Sequence, residues 1–260
     1  LKENLNFNEI DRKKFFLNNL KFKKLNLIDI DFDQKKAFQK ISSNSNKYIE
    51  KSFEIGLKIM KSGISNKLIN GPISKKNFLK KKYIGVTEYL AHKTKVKNYA
   101  MVIFNKKLSV SPITTHIPVK KISKFISKKK IISHVQLIKS FYKKRFKKNP
   151  SIAITGLNPH CESNFENNEE NKIIKPAIKY LKKNYSKIYG PYPADSLFMP
   201  NNIKNFDVVI GMYHDQVLTP IKSIYNFDAI NITLGLPFMR ISPDHGPNDK
   251  MLGKNKSNPN

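Results

Sequence analysis

Short apolar runs alternate with lysine-rich segments along most of the chain. Residues 99–104, 108–113, 151–155 and 206–210 are compact runs of mainly Val, Ile and Leu with flanking aromatics, the pattern of buried strands. The last ends at Gly211, and residues 229–233 form a further strand. Residues 67–72 read as a strand entering a loop at Asn70-Gly-Pro, and 25–32 as a candidate strand within a highly charged opening segment. Helical spacing occurs at 47–61, where Ile49, Phe53, Leu57 and Met60 recur before Gly63. It recurs through the basic stretch 118–146, carried by Ile122, Phe125, Ile126, Ile132, Val135 and Ile138. Residues 88–94 predict a short helix with Thr87 as its N-cap. Residues 169–185 predict another, which Pro176 should bend or restart. Strands alternating with helices imply an α/β architecture with mainly parallel pairing. No internal repeat interrupts it.

Composition changes this picture little. A chain of 260 residues is long enough for one large domain or two smaller ones. The formal charge of +30 raises nucleic-acid binding as a first thought. Arg12, Arg145 and Arg240 are the only arginines, however, and the lysines are dispersed without a recognition motif. Specific readers of nucleic acid lean on bidentate arginine. The expectation is therefore no nucleic-acid partner, with the basic excess attracting at most a small anionic substrate. A single cysteine, Cys161, excludes an internal disulfide framework and fits a reducing, cytoplasmic setting. No apolar run reaches the roughly 18 residues of a membrane span, so no membrane partner is expected.

Candidate chemistry gathers where predicted strands stop. His116, His160 and His214 each follow a strand, beside Pro, Asn or Asp. In open α/β sheets ligands bind beyond the carboxyl ends of strands. Neutral imidazoles there suit a divalent metal with open coordination positions. His92 and His134 fall inside predicted helices and read as structural, and His245 lies in a loop. Asp195 is either a helix N-cap or a carboxylate supporting the metal centre. Lys222 is most simply a surface lysine. Arg240 is suited to clamp a phosphate or carboxylate, and Asn231 is a buried polar group needing a partner. There is no Gly-x-Gly-x-x-Gly fingerprint, Walker loop, Cys-x-x-Cys pair or serine nucleophile elbow.

Read together, several motifs resemble those of the 4-hydroxythreonine-4-phosphate dehydrogenase family of pyridoxal phosphate biosynthesis. They are Asn70-Gly-Pro-Ile-Ser-Lys, Gly85-Val-Thr-Glu-Tyr-Leu-Ala, Thr114-Thr-His-Ile-Pro, Gly156-Leu-Asn-Pro-His and Pro193-Ala-Asp-Ser-Leu-Phe. Gly211-Met-Tyr-His-Asp-Gln and the run from Asn231 through Arg240 to Ser242-Pro-Asp-His-Gly complete the set, in the family's order.

The resemblance implies an isocitrate/isopropylmalate dehydrogenase-like fold of two α/β domains with the active site in the interdomain cleft. On that reading residues 1–80 plus 215–260 form a terminal, cofactor-side domain and 81–214 a central one. It further implies a homodimer with shared active sites. His116, His160 and His214 would hold one divalent metal (Zn, Co, Mn or Mg), with ligands from both subunits. Thr87, Lys222, Asn231 and Arg240 would bind the phosphorylated substrate. Asp244, His245, Gly246 and Asn258 would meet the adenosine part of NAD or NADP, and Lys222 or Asp195 would relay the hydroxyl proton.

The implied reaction oxidises 4-phosphooxy-L-threonine to 2-amino-3-oxo-4-phosphooxybutanoate, which loses carbon dioxide to give 3-amino-2-oxopropyl phosphate. Val86 stands where the family usually has His, and Cys161-Glu-Ser-Asn replaces a glycine-rich stretch. The family's first strand, its Gly-Glu-Pro-Ala-Gly-Ile-Gly-like loop and its last helix have no counterpart. The chain is therefore expected to be a piece of a longer protein. Alternatives are a sister dehydrogenase for threonate or erythronate 4-phosphate, an inactive relative that keeps the fold, and a basic polyanion-binding protein.

Overall fold

A computed structural model of the protein describes residues 6–13, 19–34, 36, 38–79, 82–162 and 167–256. The chain divides into two compact units. The smaller comprises 1–68, 72–81 and 246–260, and the larger 69–71 and 82–245. The expected division placed 215–260 with the terminal unit. In the structure residues 215–245 belong to the larger unit, because they supply strands and a helix to its sheet.

In the smaller unit, strands β1 (Phe7–Glu9) and β2 (Leu25–Leu27) pair in parallel. The candidate strand at 25–32 is thus only three residues long, since its partner is equally short. Helix α1 (Asn46–Lys61) buries Phe53, which stacks on Phe78 of α2 (Lys75–Phe78) with ring centroids 5.8 Å apart. The Asn46 amide donates to Asn77 O at 2.9 Å. Strand β3 (Lys67–Ile69) leads out of this unit.

The larger unit is built on a mixed sheet. Its strands are β4 (Ala100–Phe104), β5 (Ser109–Thr114), β6 (Ile152–Thr155), β7 (Ile188–Tyr192), β8 (Val208–Tyr213), β9 (Ile230–Leu234) and β10 (Met239–Pro243). They lie in the order β10-β9-β4-β5-β8-β6-β7. Pairing is parallel from β5 through β8 and β6 to β7, and antiparallel among β10, β9, β4 and β5. Only half of the sheet therefore has the parallel pairing expected. The compact connections 104–109 and 234–239 return the chain as hairpins, which favours antiparallel neighbours.

Helices α3 (Val86–Lys93), α4 (Ile122–Phe125), α5 (Lys128–Phe146), α6 (Lys175–Lys182), α7 (Ala194–Leu197), α8 (Pro200–Ile203) and α9 (His214–Tyr225) complete the unit. Helix α5 covers one face of the sheet with Ile131, Val135, Ile138 and Tyr142, spaced three or four residues apart. It starts at Ser127, whose hydroxyl accepts from Lys130 N–H at 3.2 Å, and stops at Lys147 in the left-handed region. Each buried Ile or Val contributes about 1.5–3 kcal/mol, and Ile138→Ala should cost about 2–5 kcal/mol. The opposite face is covered by Val217, Leu218 and Ile221 of α9. The 118–146 stretch is not one helix: it breaks at Ile126 and restarts after the Ser127 cap. Pro176 lies in the first turn of α6, which continues directly from a wide helical turn at Glu170–Ile174, so the proline is accommodated without ending the helix. No described helix is long and apolar enough to cross a membrane.

Candidate active site

The carboxyl ends of β5, β8 and β6 lie side by side, and each is followed by one of the candidate histidines. His116 comes two residues after β5 and is exposed. His214 opens α9 directly after β8. Their imidazole centroids are 5.4 Å apart at an interplanar angle of 43°. Two imidazoles sharing one ion, each with nitrogen about 2.0–2.1 Å from it, place their centroids roughly 4.5–5.5 Å apart. The pair fits that spacing. Asp215 Oδ1 lies 2.6 Å from His214 Nδ1, so that nitrogen is engaged and Nε2 is the ring nitrogen left for a ligand. A carboxylate orienting a ligating imidazole is the usual outer support of a metal.

His160 is not brought into this pair. It is exposed, in the turn Pro159–Cys161, with φ of 56°. Among the described residues of one chain no group of three His, Cys, Asp or Glu side chains is placed to hold a metal. The turn is nevertheless held firmly. Glu170 is fully buried and accepts from Leu157 N–H at 2.7 Å, Asn158 N–H at 2.8 Å and the Asn158 amide at 2.8 Å. Burial pushes the Glu170 carboxyl up, but the donors of Asn158 and Leu157 outweigh it and hold it below the usual range. Gly156 permits this closeness, since a Cβ there would lie 2.7 Å from Cys161 Sγ and 3.0 Å from Glu170 Oε1.

Gln216 is a further tie. Its Oε1 accepts from the Thr155 hydroxyl at 2.8 Å and from Met212 N–H at 2.7 Å, and its Nε2 donates to Gly156 O at 2.8 Å. It thereby fastens the end of β6 to the end of β8. Neither Glu170 nor Gln216 stood out in the sequence. Gln216 lies two residues from His214, and that spacing was the available signal.

A second, buried set of polar groups forms around β10 and β9. Arg240 is only 3% exposed and faces Thr233 across the antiparallel pair. Its Nε donates to Asn70 Oδ1 at 2.8 Å and Nη1 to Thr233 Oγ1 at 3.2 Å. Thr233 Oγ1 lies 3.4 Å from the buried Thr87 Oγ1. Two of the five guanidinium N–H donors are thus engaged, leaving others for an anion. Burial lowers the Arg240 pKa to about 10, opposed by the Glu88 carboxylate. Thr87 is not an N-cap: α3 begins one residue earlier, after Gly85. Asn231 shares this face of β9, and its Oδ1 is buried without a hydrogen-bond partner, the orphan acceptor the sequence anticipated.

Lys222, on α9, donates to Asp244 Oδ2 at 2.9 Å and lies 4.8 Å from the Phe227 ring centroid. It is not a free surface lysine. Asp244 Oδ1 is buried without a partner, and the His245 ring stands edge-on to Phe227 at 6.0 Å. A Cβ on Gly246 would meet nothing within 4 Å. Asn258 lies outside the described residues. Asp195 is exposed in the first turn of α7, with Oδ1 accepting from Ser196 N–H at 2.7 Å. Pro193 takes the N-cap position instead.

The first turn of α3 joins the two sets. Thr87 touches the Arg240 group, while Glu88 Oε1 accepts from Thr115 Oγ1 at 3.0 Å, beside His116. Thr87, Glu88 and Thr115 also line a cavity of about 340 Å³, bordered by Lys130 and His134.

The larger unit thus carries two strand-end imidazoles, a buried guanidinium and the Lys222–Asp244 ion pair on one mixed α/β sheet and its helices. Comparison with known proteins gives the family. The family model for the pyridoxal phosphate biosynthetic protein PdxA matches residues 1–260. A 4-hydroxythreonine-4-phosphate dehydrogenase from Sulfurihydrogenibium sp. (strain YO3AOP1) is 40% identical over 263 residues, covering 100% of this chain and 78% of that protein. A D-threonate 4-phosphate dehydrogenase from Pectobacterium atrosepticum is 37% identical, covering 63% of this chain and 51% of that protein. The crystal structure of 4-hydroxythreonine-4-phosphate dehydrogenase from Klebsiella pneumoniae is similar with a TM-score of 0.74 at 29% identity, covering 90% of this chain and 72% of that one. The chain belongs to the PdxA family, an oxidoreductase family of pyridoxal phosphate biosynthesis. The family resemblance and the α/β dehydrogenase fold read from the motifs are borne out.

Proposed function

We propose that the protein oxidises the secondary hydroxyl of 4-phosphooxy-L-threonine with NAD+ or NADP+. The carbon-bound hydrogen leaves as hydride to the nicotinamide and the hydroxyl proton leaves to a protein group, giving 2-amino-3-oxo-4-phosphooxybutanoate. This 3-oxo acid then loses carbon dioxide, and protonation of the carbon left behind gives 3-amino-2-oxopropyl phosphate. The observation that carries the reading is the single turn of α3, which links an anion-ready guanidinium to a pair of strand-end imidazoles.

Arg240 and Thr87 hold an anionic group of the substrate, with Asn231 Oδ1 accepting from a substrate donor. Holding the substrate at both ends converts a chance encounter into a fixed approach. His116 and His214 would hold a divalent cation, and in a homodimer His160 of the partner subunit would complete the set. When bound, that cation supplies positive charge where the substrate oxygen becomes negative. Lys222 and Asp195 are the two groups suited to take the hydroxyl proton. Lys222→Met and Asp195→Asn separate them: only loss of the true proton acceptor should abolish the pH-dependence of kcat. The Asp244–His245–Gly246 loop receives the nucleotide, and Asn258 belongs to the same binding function.

A sister activity on D-threonate 4-phosphate is the second reading. Val86 supports it, since an isopropyl group removes a hydrogen-bonding imidazole from the substrate side. Turnover of the protein on the two substrates decides between the readings. A higher kcat/KM for the threonate would overturn the first.

A further inference from the structure

The first turn of α3 holds a carboxylate that neither the motifs nor the family resemblance assigns to the site. Glu88 Oε1 accepts from Thr115 Oγ1 at 3.0 Å, and Thr115 immediately precedes His116. The other oxygen, Oε2, is buried and without a hydrogen-bond partner. Gly85 explains where that oxygen sits. A Cβ built on Gly85 would lie 2.5 Å from Glu88 Oε2, 3.2 Å from His116 Nδ1 and 3.3 Å from His116 Cε1. The carboxylate and the imidazole therefore converge on one point that only a glycine hydrogen leaves open.

A buried carboxylate oxygen without a donor costs about 1–3 kcal/mol or more, and so needs a reason to be there. Core packing alone does not supply one, because an apolar side chain would fill the same space without that cost.

We infer that Glu88 is a positioning residue for His116: its carboxylate anchors the Thr115 hydroxyl and braces the imidazole in the orientation that faces His214. The inference rests on the metal reading of the histidine pair and deepens it. His214 has its carboxylate from the next residue, Asp215, whereas the carboxylate that converges with His116 comes from a helix 28 positions earlier. The two imidazoles are thereby held from opposite elements, α9's own first turn and α3. Outer carboxylates that orient ligating imidazoles typically contribute 10–100-fold to metal affinity.

The test is equilibrium binding of Co2+ to the full chain, with the visible spectrum of the bound ion recorded for each variant. Glu88→Ala and Thr115→Val are each expected to weaken binding about tenfold and to shift the spectrum. Glu88→Gln keeps an oxygen that accepts from Thr115 and is expected to stay within about twofold of the parent, with its spectrum. If Glu88→Ala does not fold by circular dichroism, Thr115→Val carries the same expectation with the carboxylate in place. Parent affinity and spectrum in Thr115→Val and in every folded Glu88 variant, while His116→Ala has lost the ion, would overturn the proposal. Unchanged binding in His116→Ala would instead remove the metal reading, and the Glu88 role with it.

Discussion

The two halves of the candidate site are built in opposite ways. Around Arg240 the polar groups are buried and tied to one another: Thr87, Thr233 and Arg240 are 6%, 2% and 3% exposed. Around the histidines the groups are open. His116 and His160 are exposed, and so are Asp215 and Asp195. A buried guanidinium is held in place before any ligand arrives, so it loses little entropy on binding an anion. The exposed His116 and the half-buried His214 leave room between them for further donors. The contrast fits a division of labour in which one chain completes the anion side by itself and leaves the cation side to be finished from elsewhere.

The comparison is broken most directly at the open side. His116→Ala or His214→Ala should reduce divalent-metal affinity by at least about 10³-fold, measured by dialysis, with little change in thermal midpoint. A large fall in midpoint would show that the pair serves structure instead. On the buried side Arg240→Ala should lower kcat/KM by about 10²–10³-fold, mostly through KM, because a hydrogen-bonded charge is removed from a desolvated site. It should also lower the thermal midpoint, since Asn70 and Thr233 lose their donor.

Acid should separate the halves next. His134 lies behind β5, 4% exposed, with Nε2 2.8 Å from Ser111 Oγ. Ser111 gives its own proton to Met101 O at 2.6 Å, so the imidazole Nε2–H is the donor and the ring is neutral. Burial, with Lys130 adding to it, lowers its pKa from 6.5 to about 3. The unfolded chain therefore takes up the proton first as pH falls. Stability from this residue is complete above pH 6.5 and is lost progressively towards pH 3. The deficit at pH 5 is about 2 kcal/mol. Thermal melting of His134→Gln should be flatter between pH 7.5 and 5 than that of the parent; parallel curves would exclude this assignment. The smallest effect is expected for Asp215→Asn, which keeps an oxygen beside His214 and should weaken metal binding only about tenfold.

Much of this was legible in the chain, and unevenly so. The strand at 99–104 and the one at 108–113 were visible because continuous Val and Ile runs have few other uses. The histidines at strand ends were visible because residue type and position coincided. Thr87 was read as a cap, yet it lies inside α3, because Gly85 in extended geometry starts the helix earlier than a capping hydroxyl would suggest. Composition hid Lys222 among the lysines and only the family motifs singled it out; its 2.9 Å contact with Asp244, 22 residues on, came from the structure. Glu88 and Glu170 left no periodic trace at all.

What the sequence determined by itself is most of the strands, the main helical segments and the family, since apolar period and motif order are local properties of the chain; β10 and α9 were not read from it. The tertiary structure alone decided that half the sheet is antiparallel, that Thr87 meets Thr233 across 146 residues, and that His116 meets His214 while His160 stays apart. Alternation says which face a side chain takes but carries no information about which strand lies beside it or in which direction. Contacts across that distance are settled only when the whole sheet is assembled.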